Sequence, residues 1–429
     1  MLERLFSLET FGIKLGLDNI SRLCAALGHP ERSFASLHVA GTNGKGSVTA
    51  MAHAALVAAG VRTGRFISPH LVDLSERFVI DGAPVGAEAL QRAADEVLDC
   101  ADDLIAHGDL PVHPTFFEAT TAIAFELFRR AGVEVAVIEV GLGGRFDSTN
   151  VITPVAGAIT SIGFDHQEHL GDTIEAIAFE KAGIIKPGMD VVIGALPEEA
   201  RVVTARVAAE QGARIIDAGA DARVTGNHVD GGQLTIETPE DCYGPLSLAL
   251  QGQHQVGNAR VAVRLLEAAR RRGITVPREA IERGLTQVDW PGRLELIRLE
   301  DGREVLLDAA HNVDGARALA AYLQARHPRR PALVIGVMRD KDIEGILTAL
   351  LPAVSSVVAT AAPTPRAIPA RDLAARISAM GGRVPVRTEA DAFAAVELAL
   401  AASRSVCVAG SIFLVGAVRD ALRRRAILR

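Results

Sequence analysis

The run Leu37-His38-Val39-Ala40-Gly41-Thr42-Asn43-Gly44-Lys45-Gly46-Ser47 decides how this sequence folds. Its first four residues read as a strand, Gly41 to Gly46 as a glycine-rich turn, and Ser47 opens a helical pattern that reaches Ala59 and stops at Gly60. Strand, glycine turn and helix in that order suit phosphate. The glycines let backbone N–H groups wrap an anion, the helix start presents its positive dipole end, and Lys45 offsets negative charge. Five positions before Gly44 stands Val39, so the leading glycine of the ordinary P-loop spacing is missing. Lysine and serine at the helix start still favour nucleotide phosphate over a bare turn.

On either side of this unit, short apolar runs alternate with amphipathic stretches, the pattern of parallel strands joined by helices. The fold class is therefore α/β. Thr63 to Ile67 reads as a strand, a polar loop runs through Arg77, and helices follow at about Ala87 to Ile105 and Phe117 to Arg130. Val133 to Val140 is almost wholly apolar, as a strand covered on both faces would be, and Val155 to Ile162 and Val191 to Ile193 add two more. From about Arg214 to Leu250 the pattern alternates, with turn signals such as Asp230-Gly231-Gly232, and suggests a small antiparallel insert; a helix from about Asn258 to Arg271 follows. Trp290 to Arg293 reads as a linker. Five shorter strand and helix units, from Val305-Leu306-Leu307-Asp308 to the strand ending at Gly410, then read as Rossmann-like. The expected organisation is a P-loop-type, mostly parallel sheet domain with a small antiparallel insert over 1–289, then a smaller Rossmann-like α/β domain over 290–429.

A chain of 429 residues leads one to expect two or three domains, at roughly 150 residues each. With 49% apolar and 23% charged residues it is globular in composition. Forty-five Lys and Arg against 52 Asp and Glu give a net charge of −7, and two Tyr with one Trp offer little stacking surface, so nucleic acid is not an expected partner. Cys24, Cys100, Cys242 and Cys407 are too scattered for a disulfide scaffold or a zinc site. The amino terminus lacks a signal-peptide pattern, and no run of about 18 apolar residues occurs. A cytoplasmic monomer without a membrane partner is the expectation.

Three further places carry chemistry. Glu139 closes the apolar strand before Gly141-Leu142-Gly143-Gly144-Arg145; a carboxylate there suits a magnesium-associated acid, with an ion pair to Arg145 as the alternative. His166, in Phe164-Asp165-His166, reads equally as a ligand or as a structural residue. For Lys181, in Glu180-Lys181-Ala182-Gly183-Ile184, the local residues favour a plain salt bridge to Glu180 or another acid.

Taken in order, G-T-N-G-K-G-S (41–47), I-S-P-H-L (67–71), E-V-G-L-G-G-R-F-D-S-T-N (139–150), F-D-H (164–166), E-K-A-G-I (180–184), H-Q-V-G-N-A (254–259), P-G-R-L-E (291–295), D-A-A-H-N (308–312) and A-G-S (409–411) closely resemble the folylpolyglutamate synthases, including bifunctional dihydrofolate synthases, within the Mur ligase superfamily. The resemblance implies an ATP-dependent ligase that joins L-glutamate to dihydropteroate, to reduced folates, or to both, through an acyl phosphate. It implies ATP contacts at Gly44, Lys45, Gly46, Ser47, Asn258, Arg293 and Asp308, magnesium on Ser68, Glu139 and His166, and catalytic roles for Lys45, Lys181 and His311, with Lys181 carbamylated. It also implies pterin contacts at Leu15, Gly16, Leu17, Arg77 and the segment Thr115-Phe116-Phe117-Glu118, chiefly Thr115 and Phe117. The family usually has Gly where this chain has Ala309, and Pro where it has Val313. A muramyl-peptide ligase, or a P-loop protein that binds nucleotide without catalysis, is the alternative.

Overall fold

The computed structural model describes residues 2–12, 14, 16–226, 232–381 and 384–425. They form two compact units. The first comprises Met1–Gly163, Gln167–Ala249 and Gln255–Val288; the second comprises Phe164–His166, Leu250–His254 and Asp289–Arg429.

The first unit is built on strands β1 (Ala35–Ala40), β2 (Thr63–Phe66), β3 (Phe78–Ile80), β4 (Ala83–Pro84), β5 (Val135–Glu139), β6 (Ala156–Ile159), β7 (Asp190–Ile193) and β8 (Arg214–Asp217). They lie in the order β4-β3-β2-β5-β1-β6-β7-β8. Every pair from β2 to β8 is parallel, and β3 and β4 add an antiparallel edge. All of β5 and nearly all of β1 are buried. Apolar residues are needed on both faces because one face meets the cluster of Phe34, Phe66, Phe125 and Phe128, while another cluster gathers Ile159, Ile177, Ile184 and Val191. From β1 the order runs to β5 and β2 on one side and to β6, β7 and β8 on the other. The sheet therefore switches direction at β1, and ligands of such sheets sit beyond the carboxyl ends of the strands at that point.

The antiparallel insert is smaller than the alternation suggests. It contains β9 (Arg223–Gly226), β10 (Leu234–Glu237) and β11 (Cys242–Leu246), in the order β11-β10-β9. Arg214–Asp217, expected within it, pairs parallel with β7 instead. As an edge strand it is only partly buried, which makes its sequence alternate like a hairpin strand. Asp230 and Gly231 of the expected turn lie outside the described residues. The helix expected from Asn258 begins earlier, at Gln253.

In the second unit, strands β12 (Glu295–Arg298), β13 (Glu304–Leu307), β14 (Ala332–Ile335), β15 (Ser356–Ala359), β16 (Val386–Thr388) and β17 (Ser405–Ala409) lie in the order β12-β13-β17-β14-β15-β16. The sheet is parallel except for β12, a sixth strand that the five-unit reading lacks. Its charged ends, Glu295 and Arg298, hide it among the linker residues. Among the described residues no helix is long and apolar enough to cross a membrane.

Candidate active site

The phosphate loop leaves β1 at the switch point and enters the helix Lys45–Ala58. Gly41 has φ +149°, and a side chain there would run into Thr160; Gly44, the N-cap, has φ +86°, and a side chain there would run into the Asn258 amide. Only glycine meets both demands. The segment after β6 pins the loop: Thr42 N donates to Ser161 O (2.8 Å), Asn43 N to Ser161 Oγ (2.9 Å), and Thr160 Oγ1 to Asn43 O (2.6 Å). The helix Gln253–Arg271 supports it from another side. Gln255 Nε2 donates to Ser47 Oγ (3.2 Å), and Asn258 Nδ2 donates to Gln255 Oε1 (2.9 Å). Gly44, Ser47 and Asn258, three of the expected ATP contacts, thus share one neighbourhood.

Two lysines meet on this loop. Lys45 Nζ donates to Gly41 O (3.0 Å) and to Thr42 O (3.3 Å), and Lys181 Nζ, from the helix Ile174–Ala182, also donates to Gly41 O (3.0 Å). Lys181 is buried. Glu180, the acid that its sequence neighbours favour as a partner, binds Arg145 (2.6 Å). The Arg145 guanidinium stacks between Phe146 and Phe179, 4.2 and 4.8 Å from their ring centres. Glu139 is 6% exposed at the end of β5.

Ser68 Oγ accepts from Arg77 Nη1 (3.2 Å), and Arg77 Nε donates to His70 Nδ1 (2.9 Å). Burial pushes the Arg77 guanidinium down to about 10, against the pull of Glu9 and Glu139, which leaves it cationic at neutral pH. It lies 5.2 Å from the centre of the Phe116 ring. Within the first unit, the buried Glu139 carboxylate and the Ser68 hydroxyl are oxygen donors of the kind that suit a hard divalent cation. Among the described residues no group of three His, Cys, Asp or Glu side chains is gathered for a metal.

The expected pterin contacts divide. Thr115 and Glu118 serve a capping box: Glu118 Oε2 accepts from Thr115 N (2.7 Å), and Thr115 Oγ1 accepts from Glu118 N (3.1 Å). Phe117 packs between Phe66 (6.0 Å between ring centres) and the backbone of Gly141. Gly16 N donates to Phe146 O (3.3 Å), which brings the 16–17 segment to the turn after β5. Leu15 lies outside the described residues. Asp147, which the sequence reading passes over, organises that turn. It accepts from Leu142 N (2.7 Å) and Thr149 N (3.0 Å) and bonds the Thr149 hydroxyl, which meets His38 Nε2 at 2.9 Å. Burial pushes the Asp147 carboxyl up, and these donors resist it.

In the second unit, Asp308 follows β13 and accepts from Leu294 N (2.9 Å) and Ala310 N (3.0 Å). Burial raises its carboxyl, and the charges of Arg293 and His254 oppose the rise. His311 Nδ1 faces Ala309 O (2.9 Å), and its Nε2 lies 3.5 Å from Asp165 Oδ2. The departures at Ala309 and Val313 leave regular geometry: Val313 opens the helix Val313–Arg326, whose N-cap is Asn312. Asp165 is joined by Lys341, a residue without any sequence signal, because only the fold brings positions 165 and 341 together.

Two family models match this chain, the Mur ligase middle domain over residues 105–266 and the Mur ligase glutamate ligase domain over 292–412. The dihydrofolate synthase/folylpolyglutamate synthase of Bacillus subtilis is 35% identical over 96% of either chain. The chain belongs to the folylpolyglutamate synthase/dihydrofolate synthase family. Solved structures agree: the Mycobacterium tuberculosis folylpolyglutamate synthase complexed with ADP matches at TM-score 0.90 and 35% identity over 98% of both chains. FolC of Escherichia coli in complex with DHPP and ADP matches at TM-score 0.88 and 30% identity over 99% of this chain and 98% of that one. Members of the family are ATP-dependent ligases that form amides, and the α/β architecture, with its large mostly parallel sheet and second sheet domain, is theirs.

Proposed function

We propose that this chain uses ATP to activate the carboxylate of dihydropteroate, and that of reduced folates, as an acyl phosphate that the amine of L-glutamate then attacks. The observation that carries the reading is the phosphate loop Gly41–Ser47, braced by Thr160, Ser161, Gln255 and Asn258, in a chain that matches the family from end to end. A carboxylate is a poor acyl donor because its leaving group is oxide; phosphorylation supplies a phosphate instead. Backbone N–H groups of the loop and the start of the helix Lys45–Ala58 bind the ATP phosphates, and Lys45 moves from the loop carbonyls onto them as negative charge shifts. Arg293 and Asp308 complete the nucleotide contacts, Arg293 by charge and Asp308 by accepting hydrogen bonds. Ser68, Glu139 and His166 would hold magnesium, which would supply positive charge against the phosphoryl group. Gly16, Leu17, Arg77 and Phe117 hold the pterin end, and His311 assists the glutamate step.

Lys181 is read as carbamylated. Two nitrogens bonded to one carbonyl oxygen lie within about 6 Å of each other, so two ammonium groups on Gly41 O repel. Carbamylation turns one of them into an anion and keeps one N–H for the Gly41 bond.

The test is ADP release with dihydropteroate, tetrahydrofolate or a muramyl peptide, each with and without L-glutamate. Turnover is expected with both pterin substrates and only when glutamate is present. Equal ADP release without any pterin would overturn the proposal, activity on tetrahydrofolate alone would restrict it to polyglutamylation, and activity on the muramyl peptide would move the chain to the other ligase branch.

A further inference from the structure

Asp165 lies in the short segment Phe164–His166 of the second unit, and its side chain is 7% exposed, as is that of Lys341. Four groups converge on its two oxygens. Oδ1 accepts from the backbone N–H of His166 (3.0 Å) and from the Lys341 ammonium. Oδ2 accepts from Asn312 Nδ2 (3.1 Å) and lies 3.5 Å from His311 Nε2. Asn312 is fixed in turn, since its Oδ1 caps the helix Val313–Arg326 by accepting from Gly315 N (2.9 Å). Lys341 also faces Asp340 at 3.7 Å, and Asp340 is paired with Arg366 at 3.2 Å.

The simplest account of such a cluster is stability, and it is a weak one. Taking two charges out of water costs about as much as their attraction returns, so a buried ion pair is justified by the geometry it fixes more than by the energy it adds. The geometry fixed here is specific. His166 has φ +53°, a conformation that a residue with a side chain seldom adopts, and Asp165 Oδ1 holds its N–H. The ring of His311 is held between Ala309 O and Asp165 Oδ2.

We infer that Asp165, clamped by Lys341 and Asn312, is a positioning residue that presets His166 and His311 for the ligase reaction. Asp165 is assigned no contact with substrate or reacting atoms; it acts through the two histidines. The inference rests on the reading of His166 as a magnesium ligand and of His311 as a participant in the glutamate step.

The experiment compares the full-length wild type with Asp165→Asn, Lys341→Met and the double variant. It measures Mn2+ binding to the ADP complex by electron paramagnetic resonance, KM and kcat for each substrate, and thermal melting. Each single variant is expected to weaken Mn2+ binding roughly ten- to a hundredfold, the usual effect of losing a group that orients a metal ligand. KM for glutamate should rise, while KM for dihydropteroate changes less than about twofold, since the expected pterin contacts are on the first unit. The double variant removes both charges, so no buried charge is left alone, and its melting should return towards wild type while Mn2+ binding stays weak. Native Mn2+ binding in Asp165→Asn, or its recovery in the double variant, would show a purely structural pair and overturn the inference. The proposed function fails separately: if wild type binds Mn2+ with ADP but does not ligate glutamate, the reaction is wrong and the positioning result still stands. If wild type with ADP binds no Mn2+, the role of His166 falls and this inference falls with it.

Discussion

At Gly41 a single carbonyl oxygen accepts from both Lys45 and Lys181, and the two side chains are assigned different fates there. In the proposed reaction Lys45 is the one that moves to phosphate. Lys45→Ala is expected to lower kcat by roughly 10² to 10³, the cost of removing one preorganised electrostatic stabiliser, measured as steady-state ADP release. Glu139→Ala should also raise the magnesium concentration needed for half-maximal rate; near-native rates in both variants at ordinary magnesium would remove the phosphate and metal assignments. For Lys181 the forecast is chemical. Mass spectrometry under bicarbonate should find the carbamate, and short-chain carboxylic acids should restore part of the activity that Lys181→Ala loses. A bare amine together with no rescue would leave Lys181 as a hydrogen-bonding residue of the loop.

At the scale of elements, the bracing of the phosphate loop by the segment after β6 sets how well the loop is formed before nucleotide arrives. Ser161→Ala deletes the hydroxyl that accepts from Asn43 N and donates to Asn43 O at 3.0 Å, removing two of the bonds that pin the loop. About 1.4 kcal/mol lost in this way corresponds to a tenfold rise in KM for ATP, with melting little changed. An unchanged KM would mean that the loop holds its shape without this contact. The strand, glycine turn and helix at 37–60 were legible because they are local: apolar run, positive-φ glycines and helical periodicity stand side by side. Arg214–Asp217 was misread because a half-exposed edge strand of a parallel sheet alternates as a hairpin strand does. In the candidate site, residues such as Lys45, Glu139 and Asn258 stand in motifs that can be read from the sequence. The partners that settle their surroundings cannot be paired that way, since Glu180 with Arg145, Asp165 with Lys341 and Asp147 with His38 through Thr149 are joined by folding rather than by spacing. Thr115 and Glu118 show the converse, because their motif is satisfied locally by a capping box.

Over the whole molecule, the two units carry different titrating groups, and their response to acid should differ. Burial, joined by charges that include Lys186, Arg65 and Arg77, lowers His38 and His53 to about 3 and His70 to about 4, and all three are in the first unit. The second unit has the half-buried His327, lowered mainly by burial. It also has Asp165, whose carboxyl burial would raise but His311, His166 and Lys341 hold well below the usual carboxylate range. A histidine depressed by folding takes its proton first in the unfolded chain, so the stability it contributes is complete above about pH 6.5 and drains away as pH falls towards the folded value. For His38 and His53 the loss approaches about 1.4 kcal/mol per pH unit each. Asp165 works in the same sense but in a lower window: its contribution is present above about pH 4 and is lost only below that. Between pH 7.5 and 5 the first unit should therefore lose more stability than the second. The single tryptophan, Trp290, belongs to the second unit and serves as its probe. On acidification the thermal transition seen by far-ultraviolet circular dichroism should move to lower temperature ahead of the one seen by Trp290 fluorescence. Two transitions that stay coincident at pH 5 would show that the histidines of the first unit do not govern its acid response.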